Sequence, residues 1–337
     1  MRNAATTIIC LLAWAVAFAP VADAAKTKPP AKRVVLGTTQ LNGDQAQFAV
    51  TYTLGKVDPL NVTLDSAVYT VEPQMIGTGI YSVDAGEKLL VLNYTLHNPN
   101  PRERGLGWST FEINAVDAKD TNWRFCTAVG MDATKETCNM SLKPAQKTKV
   151  YTIIKVPAKG EIPKLMFQSR DKLVLRYDLR GKVKPLPAPI ADPSDPTGGT
   201  ALESVPAQMG TFYPMRELFG KIDSVTFTTD KVNGRAPAKG KRYAVILGTA
   251  RNNLTVKLSY AWGTFRPTLS VADGGEIRWN GTTIYPTRDE TVSATLAPGQ
   301  EVRFRWFFEV PSDLGLQSLA VRQGNGRSYS YDLSAMK

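Results

Sequence analysis

Histidine occurs once in the 337 residues, at His97, and cysteine three times, at Cys10, Cys126 and Cys138. A histidine-based nucleophilic triad would have to centre on His97. That residue runs into the turn Asn98-Pro99-Asn100-Pro101 and reads as a solvent-facing strand end. A Cys/His transition-metal centre is short of ligands, and no G-x-S-x-G, H-E-x-x-H or P-loop pattern occurs. After Ala19 no apolar run is long enough to cross a bilayer, and helical periodicity is almost absent. The sequence therefore predicts no catalytic residue, cofactor or metal. Two carboxylate pairs, Asp117 with Asp120 and Asp273 with Glu276, could in principle serve a glycosidase. Both sit in turn-like contexts, where Asp and Gly are favoured for backbone reasons. Asp192 and Asp195 leave weak calcium binding open, without EF-hand spacing.

What is present begins with an export signal. One charge at Arg2, an apolar stretch from Ala4 to Ala19, and Ala22-Asp23-Ala24 read as a secretory signal peptide, residues 1–24. A basic arm, 25–35, follows. The protein is thus expected to be secreted or periplasmic, with no membrane span after cleavage. Lys and Arg outnumber Asp and Glu by 41 to 30, a formal charge of +11. This favours an anionic envelope polymer or a protein as partner. Nucleic acid is not expected, because the chain is exported and its basic residues are dispersed. The pair Cys126 and Cys138, eleven residues apart in mostly polar sequence, is read as a structural disulfide. Such a loop closure is worth roughly 3 kcal/mol; a redox-active pair would call for closer spacing of the C-x-x-C kind.

Short alternating or β-branched runs fill the rest, among them Gln47 to Thr53, Lys88 to Leu96, Lys149 to Val156, Arg242 to Thr249 and Glu301 to Val310. Turn residues such as Asn42-Gly43-Asp44, Asp273-Gly274-Gly275 and Pro298-Gly299 separate them. Strands of this length point to an all-β fold of β-sandwiches. Between Lys182 and Pro206 the chain turns rich in Pro and Gly. It reads as an interdomain linker, stiff at first and looser near Gly198-Gly199. The expected organisation is two tandem immunoglobulin-like β-sandwich domains, 36–181 and 207–337, joined by linker 182–206.

The halves flanking that linker repeat each other. Gly55-Lys56-Val57-Asp58 matches Gly220-Lys221-Ile222-Asp223 at an offset of 165. Trp108-Ser109-Thr110-Phe111 then matches Trp262-Gly263-Thr264-Phe265 at 154, as do Asn98 and Asn252, Leu142 to Gln146 and Leu296 to Gln300, and Tyr177-Asp178-Leu179 and Tyr331-Asp332-Leu333. A constant offset over some 80 residues reads as tandem duplication. The drop in offset predicts an insertion of about eleven residues in the first copy, around Glu72 to Val83. The Cys pair maps onto Asn280 and Val292, so it belongs to the first copy alone.

The run from Gly86 to Asn98, followed by Trp108-x-x-Phe111 and Asp117, with Leu142-x-Pro144-x-Gln146 leading to Val156-Pro157, resembles bacterial exported immunoglobulin-like domains of the secreted-antigen and lipoprotein type. The chain departs from the lipoproteins in lacking a lipobox: Cys10 is preceded by Ile9. The resemblance covers nearly all of both copies. It implies a β-sandwich and brings no catalytic or ligand residue with it.

The tryptophans are the remaining candidates. Trp108 and Trp262 repeat between copies and read as core or sheet packing. Trp123 and Trp279 lie beside hairpin turns, do not align at the common offset, and are the candidate ligand contacts. The functional expectation is a non-catalytic binding protein at the envelope or outside the cell. The alternative is a carbohydrate-binding module using exposed tryptophans; a hydrolase acting through the turn aspartates stands further behind.

Overall fold

The computed structural model describes residues 43–336. The signal segment, the basic arm and the first residues of the first expected domain lie outside the described residues. Every regular element described is a strand, so the all-β expectation holds.

The strands form β-sandwiches. In the first, the long-strand sheet orders Gly130–Met131, Lys147–Pro157, Glu87–His97, Leu60–Thr70 and Thr51–Leu54. The short-strand sheet orders Gly43–Ala46, Val174–Asp178, Lys164–Ser169, Phe111–Val116 and Asn122–Arg124. In the second, Tyr213–Pro214, Phe219–Thr228, Lys241–Arg251 and Glu301–Pro311 oppose Ser204–Ala207, Ser328–Asp332, Leu316–Gln323, Phe265–Val271 and Glu276–Ile277. A two-stranded ribbon flanks each: Arg104–Leu106 with Met140–Leu142, and Leu258–Ala261 with Ser293–Leu296. The strands alternate as a sheet with one wet face must. Phe265, Pro267, Leu269 and Val271 point inward, while Arg266 and Thr268 point out.

Residue pairing makes the correspondence between the halves explicit. Lys147 to Pro157 pairs with His97 to Glu87, and Glu301 to Pro311 pairs with Arg251 to Lys241. Both strands of the ladder shift by the same 154 residues. Each outer neighbour carries one bulge, between Leu64 and Ser66 and between Ile222 and Ser224, so the bulged residues are Asp65 and Asp223, 158 apart. This register corrects the 165-residue match of Gly55–Asp58 with Gly220–Asp223. Gly55 to Asp58 lies in the turn ahead of Leu60–Thr70, whereas Gly220 to Asp223 lies inside a strand. The first half therefore has four extra residues before the ladder, not eleven. The stretch between bulge and ladder in the first half holds the hairpin Gln74–Ile76 and Gly79–Tyr81.

Packing shows how two sequences fill one frame. Tyr94 faces Val150 across the first ladder, and Gly248 faces Phe304 at the same rung of the second. A Cβ on Gly248 would lie 2.6 Å from the Phe304 ring, so in the second ladder the aromatic ring stands on the partner strand and the glycine leaves room for it. The shared asparagines are fully buried and structural. Asn98 Nδ2 donates to the carbonyls of Arg102 (2.8 Å) and Leu142 (2.9 Å), and Asn252 Nδ2 to those of Val256 (2.7 Å) and Leu296 (2.9 Å). Each side chain satisfies carbonyls that would otherwise be buried without a partner.

The Pro/Gly-rich segment is not slack chain. Lys184 exchanges backbone hydrogen bonds with Ala67 and Tyr69, Leu186 N donates to Gly198 O, and Ala191 bridges to Ala201. Leu186, Ile190 and Ala201 are buried, so apolar residues spaced between the prolines dock it onto the first sandwich. Asp192 and Asp195 accept bonds from the amides of Ser194, Thr197 and Thr200, which is the local turn chemistry of aspartate. Ser204 to Ala207 already pairs with Ser328 to Tyr331 in the second sandwich.

Two buried cations hold this segment. Lys88, with no exposed surface, donates from Nζ to the carbonyls of Ala158 (3.2 Å), Gly160 and Gly199 and lies 4.6 Å from the centre of the Tyr69 ring. Arg327 donates to the carbonyls of Leu202 (2.9 Å), Asp84 and Glu87. Its bonds run from the second sandwich to the segment and to the first, beside the Arg216–Asp84 ion pair at 3.4 Å.

Burial pushes the Lys88 ammonium down to about 8, opposed by the nearby Asp195 carboxylate. Between about pH 8 and its unfolded value the unfolded chain binds the extra proton, so stability rises with pH across that window. Denaturant titrations at pH 7.5 and pH 10 are expected to show the wild type gaining about 2 to 3 kcal/mol relative to Lys88→Met. Parallel pH profiles for the two proteins would contradict this.

Candidate functional site

The repeated W-x-T-F motif is a turn. Thr110 Oγ1 accepts the Gly107 amide (3.0 Å) and Thr264 Oγ1 the Ala261 amide (2.9 Å), while the Thr110 and Thr264 amides donate back to Gly107 and Ala261. The threonine clamps four residues, Phe111 or Phe265 enters the core, and the tryptophan is left at the tip. Trp108 is 57 % exposed and Trp262 52 % exposed. The expectation that this pair is core is corrected: an alternating pattern places a residue inward only inside a strand, and the strands begin at Phe111 and Phe265.

The second turn is the more strongly fixed. Trp306, fully buried, donates from Nε1 to Thr283 Oγ1 (2.9 Å), which donates to the Trp262 carbonyl (2.7 Å). Trp279 is half-buried, donates Nε1–H to the Thr282 carbonyl (3.2 Å), and its ring centre lies 6.4 Å from that of Trp262 at an angle of 39°. In the first sandwich the Trp108 turn is held from its side by Arg170, which donates to Ser109 O (3.2 Å) and Ser109 Oγ (2.8 Å).

The first turn stands at the rim of a shallow groove on the outer face of the short-strand sheet, and Trp279, beside the second turn, lines the corresponding groove of the second sandwich. Glu112, Arg124, Gln168 and Arg170 line the first beside Trp108. Arg266, Glu276, Arg278 and Arg322 line the second beside Trp279. The sequence offset of 154 superposes Glu112 on Arg266, Arg124 on Arg278 and Gln168 on Arg322. These sheet-face residues escaped the sequence reading because the strands that carry them are far apart in the chain; the alternation Phe265-Arg-Pro-Thr-Leu was the signal.

Of the two expected ligand contacts, Trp279 lines the second of these grooves and Trp123 lines neither. Trp123 pairs with Ala115 on the core-facing side, packs against the core, and donates to Asp117 Oδ2 (3.0 Å). That bond, with the amides of Thr121 and Lys119, holds the Asp117 carboxyl below its ordinary value. Asp117 is thus a hairpin lock, and Asp120 pairs with Lys164 (2.8 Å). Asp273 accepts the Gly275 amide (2.8 Å) in a turn. His97 Nδ1 lies 2.9 Å from Asn61 Nδ2 on the long-strand sheet, within hydrogen-bonding distance. Among the described residues no group of three His, Cys, Asp or Glu is gathered to hold a metal.

The disulfide expectation is corrected. Cys126 and Cys138 are free thiols. Backbone pairing sets Cys138 opposite Val129, three residues past Cys126, while the Cys126 amide bonds to Ile153 O. The Cys126 sulfur lies 3.6 Å from Ala128 O and 3.8 Å from Thr152 Oγ1. The loop between them is closed by its own ladder.

No protein family matches the chain, and no curated protein matches it in sequence. Solved structures do match, among them a β-sandwich protein, a secreted protein, a transglutaminase and a β-glucuronidase. An uncharacterized β-sandwich protein from Clostridium difficile is 15 % identical over 42 % of this chain and 97 % of its own, with a TM-score of 0.32. The secreted protein MPT63 from Mycobacterium tuberculosis is 13 % identical over 41 % of this chain and 98 % of its own, TM-score 0.31. The yjhA protein from Bacillus subtilis is 14 % identical over 41 % and 99 %, TM-score 0.30.

Cys138 is 2 % exposed, and burial raises its thiol above the ordinary value. A thiol reagent is therefore expected to modify it in the native protein far more slowly than after unfolding. Both thiols should titrate in denaturant without added reductant; a non-reduced mass two hydrogens short would contradict the free pair.

Proposed function

We propose that the chain is an exported, non-catalytic binding protein in which two tandem copies of one immunoglobulin-like sandwich offer rigid tryptophan turns to a ligand at the cell envelope or outside the cell. The observation that carries this reading is the pair Trp108 and Trp262, each more than half exposed at the same place in its sandwich. Exposing a large aromatic side chain to water is unfavourable, and exposure of one at equivalent sites of both sandwiches points to a use for both. The turns are held by hydrogen bonds in advance, which lowers the ordering cost of binding.

The signal-like N-terminus supports export, and the paired ladders and bulges support duplication of one module. The chemistry near the turns supports binding: the carboxylates at the hairpins are tied to backbone amides and do not face each other across a cleft. The tilted Trp262–Trp279 pair favours a second, compatible reading, in which the ligand is a carbohydrate that stacks on indole faces.

Mature protein used as bait against envelope extracts at low and moderate salt tests the proposal. Retention of an envelope component is expected, with at least about tenfold loss, some 1.4 kcal/mol, in the double variant Trp108→Ala, Trp262→Ala. Retention of nothing at either salt, or equal retention by the variant, would refute it.

A further inference from the structure

The grooves on the two sandwiches occupy the same place and each is lined by three cations and one carboxylate, Arg124, Arg170 and Lys172 with Glu112 in the first and Arg266, Arg278 and Arg322 with Glu276 in the second, but they arrange that charge differently. In the first, Glu112 faces Gln168 across the strands Phe111–Val116 and Lys164–Ser169, and its carboxylate lies 3.9 Å from the Arg124 guanidinium. The groove thus supplies a counter-ion of its own. In the second, Arg266 stands where Glu112 stands and Arg322 where Gln168 stands, and these two arginines are direct cross-strand partners. Like charges directly opposite one another destabilise a sheet. Arg278, the counterpart of Arg124, follows Ile277, which pairs with Leu269 on the next strand. All three arginines are exposed, and none forms an ion pair with a described residue. Glu276 lines the same groove and is likewise outside any ion pair.

Three guanidiniums on three adjacent strands, with one carboxylate among them, is an arrangement the fold alone does not favour. Adjacent strands lie about 4.8 Å apart, so the row spans roughly 10 Å, the reach of about two pyranose rings. At one end stand Trp279 and, beside it, Trp262 with its exposed ring. A ligand that fits both features carries carboxylates at the spacing of the strands and a flat, partly apolar ring face for the indoles. Guanidinium forks match carboxylates in geometry as well as in sign.

We infer that the outer face of the short-strand sheet of the second sandwich, Arg266, Arg278 and Arg322 with Trp262 and Trp279, binds an acidic polysaccharide through its cross-strand arginine pair, which the first groove, where Glu112 faces Gln168, does not offer. The inference rests on the binding reading above and names the ligand class of one of its sites. The indole pair orients a sugar ring and the arginines select for charge. The attraction is screened by salt.

The probe is polygalacturonate, compared with its fully methyl-esterified form, which keeps the rings without the charge, and with polyphosphate, which keeps charge without rings. Binding of the mature chain is followed by calorimetry at low and moderate salt. Polygalacturonate should bind, and Arg266→Gln with Arg322→Gln should weaken it at least about tenfold and flatten its salt dependence. Trp262→Ala should weaken it as well, while Arg124→Gln should leave it unchanged. The Arg266→Gln, Arg322→Gln protein should also melt no lower than wild type at low salt, because a like-charge pair is removed. Equal binding of the esterified form, equal binding of polyphosphate with no effect of Trp262→Ala, or loss with Arg124→Gln would each overturn the inference. Retention of envelope components by the arginine variant would leave the binding reading standing while polygalacturonate binding fails; failure of both would remove the two together.

Discussion

Each sandwich is organised around an eleven-residue antiparallel ladder, Glu87–His97 against Lys147–Pro157 and Lys241–Arg251 against Glu301–Pro311. Antiparallel pairing fixes which residue faces which, and a slip of one would turn every side chain to the opposite face. With the ladder in register, Asn98 and Asn252 fall at its end, where they hold the adjoining loop. The loop sets the start of the flanking ribbon, and the ribbon leads into the W-x-T-F turn. The exposure of Trp108 and Trp262 is therefore a consequence of ladder register carried outward through a buried amide and a threonine clamp.

The same register shows where the two sandwiches differ. At one core rung Tyr94 faces Val150 in the first, and Gly248 faces Phe304 in the second. On the outer faces Glu112 faces Gln168 in the first, and Arg266 faces Arg322 in the second. Around the segment 182–206, two buried cations take on work usually done by apolar packing. Lys88 and Arg327 each bind three main-chain carbonyls, so burial of charge is offset by donors matched to acceptors.

Strand positions, the all-β class and the 154-residue correspondence were legible in the sequence, because each rests on local alternation and spacing. Four readings failed where the answer depends on tertiary placement. The 165-residue match rested on four look-alike residues, and the bulges at Asp65 and Asp223 show that they occupy different elements. Trp108 and Trp262 were read as core because a repeated aromatic resembles a strand residue, yet the threonine two positions on makes a turn. The cysteine pair was read as bonded from its even number in an exported chain, while the hairpin sets Cys138 against Val129. The prolines of 182–206 masked Leu186 and Ile190, whose burial no local rule anticipates. The arginine row was invisible for a related reason: Arg266 and Arg322 are neighbours only through strand pairing.

The central claim, that the exposed Trp262 ring, with the half-buried Trp279 beside it, stands next to three arginines that form no ion pair with a described residue, can be tested without a ligand by comparing quenching of tryptophan fluorescence by iodide and by caesium at constant low ionic strength. Iodide is expected to quench more strongly than caesium, with a clear part of the excess lost in Trp262→Phe. Equal quenching by the two ions, or an excess unchanged in Trp262→Phe, would contradict the account.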